Sequence, residues 1–228
     1  MSAEVQGVRY TVDIVMCIDT TGSMGGLIDK VKASALRFNQ DLNVLLDEKN
    51  KVVDDLRVKV IAFRDFYVDG DQAMQTSPFF GLPEEREAFA TFVGRLRADG
   101  GGDEPENGLE ALSLAIKSDW ARSSGKRRQI VVMWTDASCH AFDKNAGVKP
   151  SNYPNDMPRD FDELTDWWQG QSYVSNTAKR LLMFAPDAYP WTDIANHWDN
   201  SLHYPSKAGD GLSDVDYSAI LSAIENSI

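Results

Sequence analysis

Cysteine is scarce in this 228-residue chain: only Cys17 and Cys139 occur, too few for a disulfide framework, and both are read as free thiols. No apolar run approaches the roughly 18 residues that a membrane-spanning helix needs. Positive charge is also short. Lys and Arg number 23 against 35 Asp and Glu, for a net charge of −12. Nucleic acid and anionic membrane both require basic patches, so neither is expected as the main partner. The opening residues MSAEVQGVRY carry neither the basic nor the apolar region of a signal peptide, which predicts a cytoplasmic location. The three histidines, His140, His197 and His203, are scattered and read as structural or exposed rather than as ligands.

Apolar content is ample: 43% hydrophobic residues can fill a core, which excludes global disorder. The length is about 1.5 times a roughly 150-residue domain, and α/β folds of this size are routinely single, so one domain over 1–228 is expected. Short apolar runs alternate with amphipathic stretches. Strands are predicted over 12–18, 57–63, 129–134 and 180–184, with a short edge strand over 74–80. Helices are predicted over 24–46, 83–96, 105–121, 161–177, 191–198 and 214–228, the last with Asp214 as its cap. Residues 100–102 break the chain. Residues 138–160 are rich in Pro, Asn and Gly, and an irregular loop of that length tends to be functional. Trp167, Trp168, Trp191 and Trp198 are assigned to core or helix packing.

Strand–helix alternation predicts a three-layer α/β/α, Rossmann-like fold with a mostly parallel central sheet and one antiparallel edge strand. In such sheets a ligand sits beyond the carboxyl ends of the strands, at the switch in strand order. Polar residues gather at those ends. The first strand runs into Asp19-Thr20-Thr21-Gly22-Ser23, the second into Arg64-Asp65, and the fourth into Thr135-Asp136. A Gly100–Asn107 loop (GGGDEPEN) intervenes. Asp19, Thr21 and Ser23 alternate, so an extended turn projects all three to one side. They offer a carboxylate and two hydroxyls, hard oxygens that suit Mg²⁺, Mn²⁺ or Ca²⁺ rather than zinc.

The run DIVMCIDTTGSM resembles the start of a von Willebrand factor type A domain, with its D-x-[ST]-x-S metal-ion-dependent adhesion site. Asp19, Thr21 and Ser23 match that motif, and Asp136 in IVVMWTDA matches the family's second aspartate. Most members place a threonine in the middle loop, where this chain has Glu106. Asp103-Glu104-Pro105-Glu106 is similar to the D-x-P-E loop of the A-like domains of integrin β, and FRDF with GGGDEPE is more similar still to bacterial and alpha-kinase-linked A domains. The resemblance implies Asp19, Thr21, Ser23, Glu106 and Asp136 as metal ligands, with Thr21 and Ser23 bound directly and the aspartates acting largely through water. It implies Mg²⁺, with Mn²⁺ or Ca²⁺ as alternatives, and an open coordination position that accepts a carboxylate from a protein partner. It also implies a non-catalytic interaction module beside kinases, phosphatases or ATPases. The acids that hold an adjacent second ion in integrin β domains are replaced by Gly26 and Leu27. Asp65 and Asp103 are left as candidates for an outer shell or a different extra ion, although Asp65 reads first as the partner of a base or the cap of a turn.

A rival reading comes from another class. Ile18–Ser23 (IDTTGS) also resembles the phosphorylation motif of haloacid-dehalogenase-like phosphotransferases, and Gly209-Asp210-Gly211-Leu212-Ser213-Asp214 resembles their magnesium motif. Asp19 would then be the nucleophile, with Lys179 or Lys207 on the phosphate. Thr20 and Thr21 stand where those enzymes want a lysine or an acid, His203–Lys207 is not an apolar strand, and GGGDEPE is left without a role.

Overall fold

The computed structural model describes residues 8–101, 104–122, 125–142 and 150–228. Three β-branched or apolar runs form its centre. The strands β1 (Val8–Asp19), β2 (Lys51–Phe63) and β5 (Lys126–Trp134) are parallel, with β1 in the middle. On the β5 side follow β6 (Lys179–Pro186) and β7 (Ser201–Ser206), also parallel. On the far edge of β2 lie two short antiparallel pieces, β3 (Met74–Thr76) and β4 (Phe80–Leu82). They form one antiparallel edge interrupted at Ser77–Phe79, where Ser77 Oγ accepts from Val60 N at 2.9 Å. The order is β3-β2-β1-β5-β6-β7, the expected mostly parallel three-layer sheet.

Strand residues alternate between two cores, as a period of two requires. On one face Ile14, Met16 and Ile18 of β1 meet the helices α1 (Gly25–Ser34), α2 (Phe38–Glu48), α3 (Arg86–Arg95) and α7 (Tyr217–Ser227). On the other, Val15 and Cys17 meet α4 (Gly108–Ile116), α5 (Phe161–Gln169) and α6 (Trp191–His197). Trp168, Trp191 and Trp198 lie in this second core, as expected of them, and Trp168 stacks on Trp198 at 5.5 Å.

Several boundaries differ from the sequence reading. The helix expected over 24–46 is broken by a 3-10 turn at Ala35–Arg37. The helix expected from Pro105 begins only at Gly108, because the backbone of Glu106 is spent on an extended bridge: its N–H donates to Ser138 O at 3.0 Å and its carbonyl accepts from His140 N at 3.0 Å. α5 stops at Gln169, where the buried Lys179 ammonium takes the carbonyl of Trp168. The last helix begins at Tyr217, with Asp216 rather than Asp214 at the cap position. β7 is a strand that polar sequence concealed. It lies at the edge, exposes Leu202 and Tyr204, and needs apolar contact on one side only, where Tyr204 stacks on Phe184 at 4.7 Å.

Candidate functional site

β1 is the central strand, so its carboxyl end opens where the chain departs in opposite directions to β2 and β5. Asp19 ends that strand and is fully buried. Its Oδ1 accepts from Thr21 N at 2.9 Å and Thr21 Oγ1 at 2.6 Å, and its Oδ2 accepts from Thr135 Oγ1 at 2.7 Å. These bonds fold the Asp19–Ser23 segment back on itself and fix the hydroxyl of Thr21. Ser23 Oγ lies 3.5 Å from Thr21 Oγ1 and donates to Asp136 Oδ1 at 3.1 Å. Three oxygens from two strand ends thus stand in a row, with the Asp19 carboxylate behind them.

Two loops close round this row. Gly101 has φ +69°, and a Cβ there would lie 2.7 Å from Thr21 Cβ and 3.1 Å from Glu106 Oε1. Only glycine lets the backbone pass this close, and the contact brings Glu106 beside Thr21. The second loop follows β7. Gly211 N donates to Asp136 Oδ2 at 2.7 Å, and Gly209 N donates to Asp136 O at 2.9 Å. A Cβ on Gly211 would stand 2.0 Å from Ser23 O.

Residues 13–153, more than half of the chain, match the family model for the von Willebrand factor A domain. The chain belongs to the von Willebrand factor A domain family. Over 157 residues it is 29% identical to the alpha-protein kinase vwkA of Dictyostelium discoideum, covering 68% of this chain and 23% of that one. Over 132 residues it is 28% identical to a putative ariadne-like RING finger protein, R811, of Acanthamoeba polyphaga mimivirus, covering 58% of this chain and 12% of that one. The chain therefore spans less than a quarter of the length of these relatives. Its fold is similar to that of the pilus adhesin SpaC of Lactobacillus rhamnosus GG, with a TM-score of 0.56 at 10% identity, over 95% of this chain and 30% of that one. The open conformation of the same adhesin gives 0.53 at 13% identity.

The donor set of this A domain suits a hard divalent cation. An octahedron with bonds of about 2.1 Å has edges of about 3.0 Å, and bonds of about 2.4 Å give edges of about 3.4 Å. The separations of 3.1 and 3.5 Å along the Thr21–Ser23–Asp136 row match those values. Electrostatics point the same way. Burial pushes the Asp19 carboxyl up to about 6, the hydrogen bonds from Thr21 and Thr135 hold it down, and the charge of Asp136 raises it. Among the described residues no Lys or Arg forms an ion pair with Asp19 or Asp136. Buried negative charge of this kind is costly without a compensating positive one.

The structure places Asp65 against His140, with Oδ2 3.0 Å from Nε2 and both side chains buried, while its Oδ1 accepts from Tyr67 N at 2.7 Å. It is the partner of a base and the cap of a turn, the first of the two roles considered for it. Asp103 lies outside the described residues. The sequence reading named Thr135 at the end of the fourth strand and the glycines within their motifs, but gave none of Thr135, Gly101, Gly209 and Gly211 a part in building the site.

The phosphotransferase reading is not completed at the site. The Gly209–Gly211 loop reaches Asp136 and Ser23, but Lys179 begins β6, at the opposite end of the strands, and holds the end of α5. Asp210 accepts from Ser213 Oγ at 2.8 Å and faces Lys207 at 3.8 Å. Both oxygens of the would-be nucleophile Asp19 already accept hydrogen bonds. The segment before the glycine-rich motif is a strand after all, yet an exposed and polar one.

Proposed function

We propose that this A domain is a non-catalytic, divalent-cation-dependent protein-interaction module. The observation that carries the reading is the row of Thr21, Ser23 and Asp136 oxygens at octahedral-edge spacing, backed by buried Asp19. Thr21, Ser23 and Glu106 would hold the cation with Asp136, while Asp19 acts through the groups it accepts from. Mg²⁺ is the preferred ion, and Mn²⁺ and Ca²⁺ meet the same oxygen chemistry. When bound, the ion supplies an electrophilic point at which a partner's Asp or Glu carboxylate is recognised. The chain's own part is to present two neutral hydroxyls, which offset none of the ion's charge and leave that to the carboxylates.

Glu106 works against that economy. It stands where most members of the family have a neutral threonine, and it adds a negative charge, so the attraction for an incoming carboxylate is weaker here. The partnership with a kinase, phosphatase or ATPase system, and a cytoplasmic location, belong to this proposal; the kinase relationship rests on the likeness to the Dictyostelium protein. The test is capture of partners on the immobilised chain in Mg²⁺ and in EDTA, with Asp19→Ala alongside. Partners retained in Mg²⁺ and lost in both other arms support the reading. Partners that bind equally in all three contradict it.

A further inference from the structure

Arg64 directly follows β2 and is 6% exposed, a buried cation at the same end of the sheet as Asp19. Among the described residues no carboxylate forms an ion pair with it. A guanidinium keeps its charge on burial, so hydrogen bonds must offset the cost. Arg64 Nε donates to Thr20 O at 3.1 Å and to Thr20 Oγ1 at 3.3 Å, and Nη2 donates to Arg97 O at 2.8 Å. All three acceptors are neutral.

These acceptors lie on loops that enclose the candidate cation site. Thr20 sits between Asp19 and Thr21. Arg97 stands four residues before Gly101, the glycine packed against Thr21 and Glu106. The backbone of Arg64 reaches a third segment: its carbonyl accepts from Asn107 N at 3.2 Å, next to Glu106, and Asn107 Oδ1 in turn accepts from Phe66 N at 2.7 Å. One residue is therefore bonded to the neighbours of Thr21 and of Glu106 and to the segment that leads into Gly101. Helix capping does not explain the fork. α3 ends at Arg95, and the carbonyls of Gly94 and Leu96 accept from the guanidinium of Arg97 itself, at 2.8 and 2.9 Å. The carbonyl that Arg64 takes lies two residues beyond that helix.

We propose that Arg64 is a positioning residue for the cation site, one that holds Thr21 and Glu106 together before any ion arrives. The inference rests on the proposed cation site and names the residue that preorganises it. A planar fork with fixed donor directions can span two loops, whereas the single ammonium of a lysine keeps the charge but not that geometry. Preorganisation also favours one ion over another. Mg²⁺ demands a near-ideal octahedron, while Ca²⁺ accepts irregular shells. Loosening the loops should therefore cost Mg²⁺ more than Ca²⁺.

The test is titration calorimetry of the parent chain and Arg64→Lys with Mg²⁺ and with Ca²⁺, beside their melting temperatures without metal. Arg64→Lys is expected to weaken Mg²⁺ binding about tenfold and Ca²⁺ binding less. Unchanged Mg²⁺ affinity in Arg64→Lys overturns the proposal. Equal losses for both ions with a lowered melting temperature overturn it too, because they mark a merely structural residue. A measurement on the parent stands even if the variant does not fold: in the ¹⁵N-labelled, metal-free chain the Arg64 Nε–H should already be protected from exchange with water. Rapid exchange until Mg²⁺ is added would contradict preorganisation. A parent that binds neither ion fails the cation site itself, and a parent that binds Mg²⁺ as Arg64→Lys does fails the role of Arg64 alone.

Discussion

Asp19 does its work without touching solvent. Its two oxygens accept from Thr21 and Thr135, so it fixes the hydroxyl row rather than presenting itself to a ligand. Replacing it by alanine should remove cation binding while the two cores, which do not include it, persist. A titration calorimetry signal for Mg²⁺ that survives in Asp19→Ala would refute this role, and a chain that unfolds even without metal would make the residue a structural one. Glu106→Thr should strengthen capture of an acidic peptide in Mg²⁺ by removing a negative charge beside the ion. A peptide affinity no higher than the parent's, measured by fluorescence anisotropy, would contradict the charge argument. Gly101→Ala combines a left-handed φ with a 2.7 Å approach to Thr21 Cβ, and is expected to cost about 1–3 kcal/mol in urea unfolding and to weaken Mg²⁺ binding. At this scale the sequence pointed to Asp19, Thr21 and Ser23 through the motif's alternating spacing and to Asp136 through the family resemblance of the fourth strand's end. It did not reveal the roles of Thr135 and Gly211, which come from residues more than 70 positions distant.

At the scale of elements, the polar residues beneath the site tie loops together. Glu110 of α4 is buried and accepts from Tyr153 OH at 2.6 Å, which docks the segment after residue 150 on the helix. Burial raises its carboxyl above the usual value of 4.5. The hydrogen bond from Tyr153, the neighbouring Asn107 amide and the charge of His140 oppose the shift. Because the folded state favours the protonated form, the stability from this group is fully present below about 4.5 and is lost as pH rises through the elevated value. Glu110→Gln keeps an acceptor for Tyr153 and removes the titration. Its stability relative to the parent should therefore rise from pH 4.5 toward neutrality in parallel urea melts, and a constant difference would rule the account out. Elements with one period throughout were legible: β1, β2, β5 and β6 stand out because they are apolar on both faces. Those ended by a distant contact were not. α4 starts late because Glu106 pairs with residues 138–140, and α5 ends early because Lys179 reaches its last carbonyls. The strand β7 was hidden because an edge strand can be polar.

For the whole molecule, the sheet gathers the proposed cation site at one end, the carboxyl ends of β1 and β5. In the proposed mode of binding, the net charge of −12 opposes an acidic partner at long range, while the ion attracts it at contact. Salt screens the first more than the second, with a Debye length of about 8 Å at physiological strength. The association rate of an acidic peptide in Mg²⁺ should accordingly rise with added salt, opposite to ordinary steered association. A rate that falls in stopped-flow measurements would show that the local field, not the net charge, governs approach.

The account's central claim is tested most directly by diffraction from crystals grown with Mn²⁺, at a wavelength that reveals its anomalous scattering. A single peak among Thr21 Oγ1, Ser23 Oγ and the carboxylates of Glu106 and Asp136 is the predicted result. A map without a peak there, or with the ion bound elsewhere on the chain, would contradict it.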